Sequence, residues 1–250
     1  MRVGLVSDLH GNAVALEAVA RDVERAGVDR VVCLGDLVQG GAEPRRCLAL
    51  VERLGWPVVL GNADAFVLDP ATAEEGTEPV TEAQLELQRW SLAQLSDAER
   101  ERVARFPLTI EVALPGDRTL LCCHAVPSSY HSFLLPSTDE ATFRALLDGV
   151  TADVVAGGHM HLQFVRRRGD TLFVNPGSAG LSYDHEQPED GFRVDPWGAW
   201  GIVDAEDDGS LRVQFRRVPL PVDEVVRAIG ASGMPQGDAI AGRWAPRPAG

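Results

Sequence analysis

The chain has 250 residues, 45% of them hydrophobic, and a formal charge of −14 at pH 7. That length suits one large domain, or one domain with an insert, and supplies enough apolar residues for a substantial core. The acidic balance argues against a long nucleic-acid footprint, which rests on many Lys or Arg contacts to phosphates, yet leaves room for a small phosphorylated substrate. The opening MRVGLVSDLHGN lacks the basic region and long apolar run of an export signal, and no segment has the unbroken apolar length of a membrane span, so a cytoplasmic location is expected.

In chain order, residues 2–9 form a short apolar run. Residues 12–26 place Val14, Leu16, Val19, Val23 and Ala26 at helical spacing, and Gly27 stands where a helix would end. Residues 30–34 are a second strand, 44–54 a second helix and 57–60 a third strand. Strand, helix, strand, helix, strand implies parallel βαβ units, in which ligands gather at the carboxyl ends of the strands. Those ends read SDLHGN, GDLVQGG and GNAD, delivering Asp8, His10, Asp36 and Asn62 to one sheet edge.

Residues 64–106 read as a helical insert. Residues 71–80 resemble an acidic loop, and Thr81-Glu82-Ala83-Gln84 and Ser96-Asp97-Ala98-Glu99 each form a capping box that opens a helix. The insert is expected either to lie over the site or to pack as a plain hairpin. Beyond it, 108–114 and 118–125 flank a Pro-Gly-Asp turn, 139–147 is helical, 153–156 is a strand, and 163–168 with 171–174 form a hairpin. Residues 198–204 and 211–219 pair, and 222–229 is a last helix. Residues 1–235 read as one domain and 236–250 as a C-terminal tail with a loose end. The fold class is α/β, with two mixed sheets face to face and helices outside. Cys33, Cys47, Cys122 and Cys123 lack the spacing of a structural zinc site and read as buried thiols.

His10, His124, His159 and His161 fall at strand or loop junctions. Asp8-x-His10 and His159-x-His161 set ligand-type side chains two residues apart, which in extended structure point to one side. Carboxylate, imidazole and amide donors together suit Mn, Fe, Zn or Ni. Asp36, between the other contributors, is expected to bridge two ions, which can share a water and clamp a phosphoryl group. The competing reading makes Asp8 and Asp36 helix caps and the histidines ordinary strand-end residues. Asn12 is expected to cap the first helix and, with Gly11, to offer a phosphate site at the helix start. Asn175-Pro176-Gly177-Ser178 reads equally as a tight turn or as a loop near the metals. His131 lies in a loop expected to overlook the site and reads either as a surface or core histidine or as a proton donor or substrate contact, and His185 reads as solvated.

These blocks resemble the calcineurin-like metallophosphoesterase superfamily, and its small YfcE-like phosphodiesterase branch most. They are Asp8-x-His10-Gly11-Asn12, Gly35-Asp36, Gly61-Asn62, His124 and Gly158-His159-Met160-His161. The resemblance implies a four-layer αββα sandwich and two divalent ions, manganese first, with iron, zinc or nickel as alternatives. It implies Asp8, His10, Asp36 and His161 on one ion, and Asp36, Asn62, His124 and His159 on the other, with a bridging hydroxide as nucleophile. Many relatives carry a proton-donating His after the Asn, where this chain has Ala63; general-acid help is typically worth about 10²–10⁴-fold. The expected activity is hydrolysis of a small phosphodiester such as a cyclic nucleotide, with Asp36, Asn62 and His131 in the catalytic centre and Gly11, Asn12 and Asn62 on the substrate. A phosphomonoesterase and a non-catalytic nucleotide-binding module are the rivals. A dinucleotide site is excluded because no G-x-G-x-x-G follows the first strand.

Overall fold

The computed structural model describes residues 1–73, 79–188 and 191–245. β1 (Arg2–Val6) and β2 (Arg30–Cys33) run parallel across α1 (Ala13–Ala26). Asn12 opens α1, its Oδ1 accepting from the Ala15 N–H at 3.0 Å, and Gly27 closes it in left-handed backbone. α2 (Pro44–Leu54) begins on proline, whose missing N–H costs nothing at a helix start. The third strand expected at 57–60 is reduced to one parallel bridge between Val58 and Cys33. Pro57 has no N–H to give, and the Leu60 N–H turns away to the Pro107 carbonyl at 2.8 Å.

A helix the sequence reading lacked, α3 (Asn62–Leu68), follows at once. α4 (Glu82–Ala93) and α5 (Asp97–Val103) start at the two expected capping boxes, on Thr81 with Gln84 and Ser96 with Glu99. The expected acidic loop falls partly on 74–78, outside the described residues. α4 and α5 pack beside α2 as a hairpin. Leu95 and Val103 join the core around Leu48 and Val51, and Glu99 meets Arg45 at 2.9 Å.

The remaining elements are β3 (Thr109–Leu114), β4 (Arg118–Cys123), α6 (Glu140–Leu146), β5 (Val154–Ala156), β6 (Gln163–Arg168), β7 (Thr171–Pro176), β8 (Trp197–Ala205), β9 (Leu211–Pro219), α7 (Val222–Ser232) and α8 (Gly237–Gly242). One sheet has the order β2-β1-β8-β9 and the other β3-β4-β5-β7-β6, and both mix parallel and antiparallel pairs. Alternation along the strands sorts the core into layers. Val3 and Leu5 of β1, Leu120 and Cys122 of β4, and Val203 of β8 meet between the sheets. Val6, Trp200 and Ile202 face α1 and α2 on one outer side, while Cys123, Val155 and Phe173 face Phe143 of α6 on the other. All four cysteines are free and buried, as expected.

The described part of the expected tail, 236–245, is packed: Trp244 is buried with Val225 and Ile229 of α7, and α8 packs there too, burial of the indole being favourable. No helix among the described residues is long and apolar enough to cross a membrane.

Candidate metal centre

Asp8 follows β1, Asp36 follows β2, Asn62 opens α3, His124 follows β4, and His159 and His161 follow β5. Both sheets therefore aim their strand ends at one spot. Two clusters result, Asp8 with His10 and His161, and Asp36 with His124 and His159, each with ligand atoms within 4.8 Å of one another. Each cluster combines residues from both sheets. Asp36 Oδ2 lies 3.6 Å from His10 Nε2 and its Oδ1 lies 3.4 Å from His124 Nε2, so one carboxylate faces both clusters. Asn62 Oδ1 lies 2.9 Å from His124 Nε2.

The side chains do not converge by the extended geometry expected of D-x-H and H-x-H. Asp8, His10, Asp36, His159 and His161 all adopt left-handed backbone, φ 46–65°. Such conformations cost of order 1–3 kcal/mol each in non-glycine residues, and they persist only where the surroundings over-determine them. Close-packed loops do so here. A Cβ on Gly61 would fall 2.1 Å from Asp36 Oδ1, and one on Gly158 would fall 1.9 Å from Ser7 Oγ. Asn175 Nδ2 donates to the Gly158 carbonyl at 2.6 Å and Ser178 Oγ to the Asp8 carbonyl at 2.7 Å, so the NPGS turn braces the loops that bear Asp8 and His159.

Backbone carbonyls set the histidine tautomers. Nδ1 of His10 meets the Gln39 carbonyl at 3.0 Å, Nδ1 of His124 that of Leu34 at 2.7 Å, and Nδ1 of His161 that of Leu181 at 2.7 Å. A proton on each Nδ1 leaves each Nε2 lone pair facing inward, the usual arrangement of a metal-bound imidazole. His10 Nε2 and His161 Nε2 approach to 3.1 Å, close enough for both to bind the same ion. His159 Nε2 is buried with no hydrogen-bond partner among the described residues. An orphaned buried nitrogen is costly in a protein alone and is resolved by a cation, and with two carboxylate–imidazole donor sets the residues present fit a dinuclear centre.

The electrostatics agree. Burial raises the Asp8 and Asp36 carboxyls, but His161 beside Asp8, and His124 and His10 beside Asp36, hold both below the ordinary carboxylate range. Burial lowers His124 and His161, but Asp36 and Asp8 respectively overturn it, lifting His161 and taking His124 to about 9. At His10 and His159 burial prevails, and His159, pushed further by His124, falls to about 4. Carboxylates that hold protons on imidazoles hold divalent cations in competition with them.

Three expected site residues are placed otherwise. The Gly11 N–H donates to the Leu37 carbonyl at 2.9 Å, and Asn12 is spent on the Ala15 N–H and, through Nδ2, on the Gly180 carbonyl at 3.0 Å. The expected cap on α1 is present at Asn12. His131 Nε2 meets the Thr72 carbonyl at 2.8 Å, tying its loop to the turn after α3. Sequence reading also missed residues that shape the centre. Asp64 carried a signal, as the acid three residues past Gly61. Phe133, 61% exposed with its ring 5.2 Å from His159, and Tyr183, 5.3 Å from His161, carried none, because each reaches the centre from a distant loop.

Residues 1–194 match the sequence profile of the calcineurin-like phosphoesterase superfamily domain, and the chain belongs to that superfamily. It is 26% identical over 245 residues to the uncharacterized protein MJ0912 of Methanocaldococcus jannaschii, covering 94% of each chain. Among solved structures it is similar to a metallophosphoesterase from Sphaerobacter thermophilus, with TM-score 0.72, 23% identity, and 97% and 98% of the two chains covered. It is also similar to the hypothetical protein PH1004 from Pyrococcus horikoshii OT3, with TM-score 0.78, 17% identity, and 98% and 99% covered. Both likenesses are of fold.

Proposed function

We propose that this chain hydrolyses a small phosphodiester, such as a cyclic nucleotide, at a centre holding two divalent ions, manganese by preference and iron, zinc or nickel as alternatives. Asp8, His10, Asp36 and His161 would hold one ion, and Asp36, Asn62, His124 and His159 the other. The observation that carries this reading is Asp36, whose two oxygens face the two histidine clusters at 3.6 and 3.4 Å. Two bound divalent ions depress the pKa of a shared water and clamp a phosphoryl group during in-line displacement.

The protein's own share is orientation. The Ala63 N–H donates to Asp36 Oδ1 at 2.8 Å and fixes the carboxylate plane. The carbonyls of Gln39, Leu34 and Leu181 keep three imidazoles in the Nε2-accepting tautomer. Asn62 places an amide beside His124, where it can contact substrate as well as metal. The GNAD block, with Ala63 in place of a proton-donating His, supports the diester over the monoester.

The test is removal of metal, restoration of Mn²⁺, and hydrolysis of bis-p-nitrophenyl phosphate beside p-nitrophenyl phosphate. Diester turnover that needs metal and is lost in Asp36→Asn is the expected result. Preferential turnover of the monoester would replace the diesterase with a phosphatase. Bound metal with no turnover of either would favour a nucleotide-binding module on the same fold.

A further inference from the structure

Beside the centre, on the His161 side, lies a cavity of about 920 Å³ walled by Leu162, Tyr183, Val194, Trp197, Val222 and Trp244. Its size falls within the roughly 300–1,000 Å³ of small-molecule pockets. Two of its wall residues reach the proposed reacting centre. Leu162 follows His161 in the chain, and the Tyr183 ring packs 5.3 Å from the His161 ring. Tyr183 is itself held between Phe192, at 5.1 Å, and His185, at 4.6 Å.

The walls specify what fits. The aromatic side chains Tyr183, Trp197 and Trp244 in its walls suit a flat ring, which packs against aromatic neighbours in preferred offset or edge-on geometries. Exposed carboxylates of Glu186 and Asp223 stand at the rim. The rim cation Arg217 is engaged, its guanidinium 5.1 Å over the Trp197 ring and its Nε donating to Gln163 Oε1 at 3.2 Å. A second anionic group would meet those carboxylates, whereas a neutral ring would not.

We propose that this cavity is the specificity pocket of the site, taking the organic part of the phosphoester: a flat aromatic group of aryl or nucleobase type that bears no further negative charge. The proposal rests on the phosphoesterase reading of the adjoining centre and gives it a substrate class. The C-terminal helices then have a function, because Val222 opens α7 and Trp244 follows α8, and together they close the pocket.

The test uses the metal-loaded full chain with two non-hydrolysable probes, phenylphosphonate and methylphosphonate, their binding measured by calorimetry. Tighter binding of the phenyl compound is expected, and Trp197→Ala should cut that preference by about tenfold or more. Val222→Trp, which fills the cavity instead of emptying it, should do the same and guards against a folding defect in the first variant. Equal binding of the two probes, or a preference unchanged in both variants, overturns the proposal. In parallel, kcat/KM is compared for phenyl p-nitrophenyl phosphate and methyl p-nitrophenyl phosphate, which share a leaving group. Absence of turnover with both esters would defeat the phosphoesterase reading alone, since the phosphonates report on the pocket without chemistry.

Discussion

Asp64 holds the loop that carries Asp36. Its buried Oδ1 accepts from the N–H groups of Leu37 and Val38 at 2.9 and 3.0 Å, immediately after Asp36 in the chain. Burial, and then the Asp36 charge, push the Asp64 carboxyl up to about 7. Removing the acceptor leaves buried donors unmet, so Asp64→Ala should cost about 1–3 kcal/mol in urea unfolding. It should also weaken metal binding by about 10–100-fold, the usual effect of losing a partner one step from a ligand. Asp64→Asn, which keeps one acceptor oxygen, should lose less on both measures.

Gly61 is needed for space. Its absent Cβ would sit 2.1 Å from Asp36 Oδ1, so Gly61→Ala must displace that carboxylate. Overpacking of this kind costs about 1–3 kcal/mol. Metal content per chain, measured by atomic emission after dialysis, should fall well below that of the wild type, while the circular dichroism keeps its α/β form.

His131→Ala bears on the missing proton donor. Because His131 Nε2 is engaged with the Thr72 carbonyl, the variant should keep diester turnover within about threefold, far from the roughly 10²–10⁴-fold of a lost general acid. A larger fall in kcat, accompanied by loss of the basic limb of the pH profile, would restore His131 to the chemistry.

Away from the centre, Asp22 ties α1 to the first sheet. It accepts from Arg216 Nε at 2.8 Å and from Trp200 Nε1 at 3.0 Å. The Arg216 hydrogen bond is the main cause holding its carboxyl below the ordinary range, against the effect of burial. A carboxyl depressed in the folded state stabilises the fold above its unfolded pKa, about 3.9, and the stabilisation fades as pH falls through the folded value. The gap in unfolding free energy between wild type and Asp22→Asn should therefore be widest near pH 6 and shrink on acidification to about pH 3.

All four thiols should be silent in the native protein. Burial pushes Cys122 up to about 12 and raises Cys33, Cys47 and Cys123 as well. Reaction depends on the thiolate and on access. A disulfide reagent should label none of them in buffer and all four in denaturant.

Much of this was legible because local chemistry and tertiary role coincide. The strands that carry Asp8 and Asp36 are short apolar runs ended by polar residues beside glycine, and two capping boxes fixed the starts of α4 and α5. What escaped depended on distant partners. Nothing in GNADAFVL marks Asn62 as the first residue of α3, and the strand before it is lost to Pro57 and to the hydrogen bond that Leu60 donates to the Pro107 carbonyl. Gly11 and Asn12 read as an anion site by pattern, and the bonds they make to the Leu37 and Gly180 carbonyls, both far along the chain, are invisible in that pattern. Trp244 looked like part of a loose end because its pocket is built from α7 and α1 residues that only the fold brings to it.

Each metal cluster draws ligands from both sheets: Asp8 and His10 meet His161, and Asp36 meets His124 and His159. Neither cluster can exist before the two halves of the sandwich have docked, so an ion held there would be captured only by the docked sheets. Such an ion would act as a clasp across the sheet interface, its binding energy opposing any motion that parts the sheets. Chelation should thus loosen the sandwich as a whole, with amide exchange rising in β4 and β5 as well as in the loops that hold the ligands.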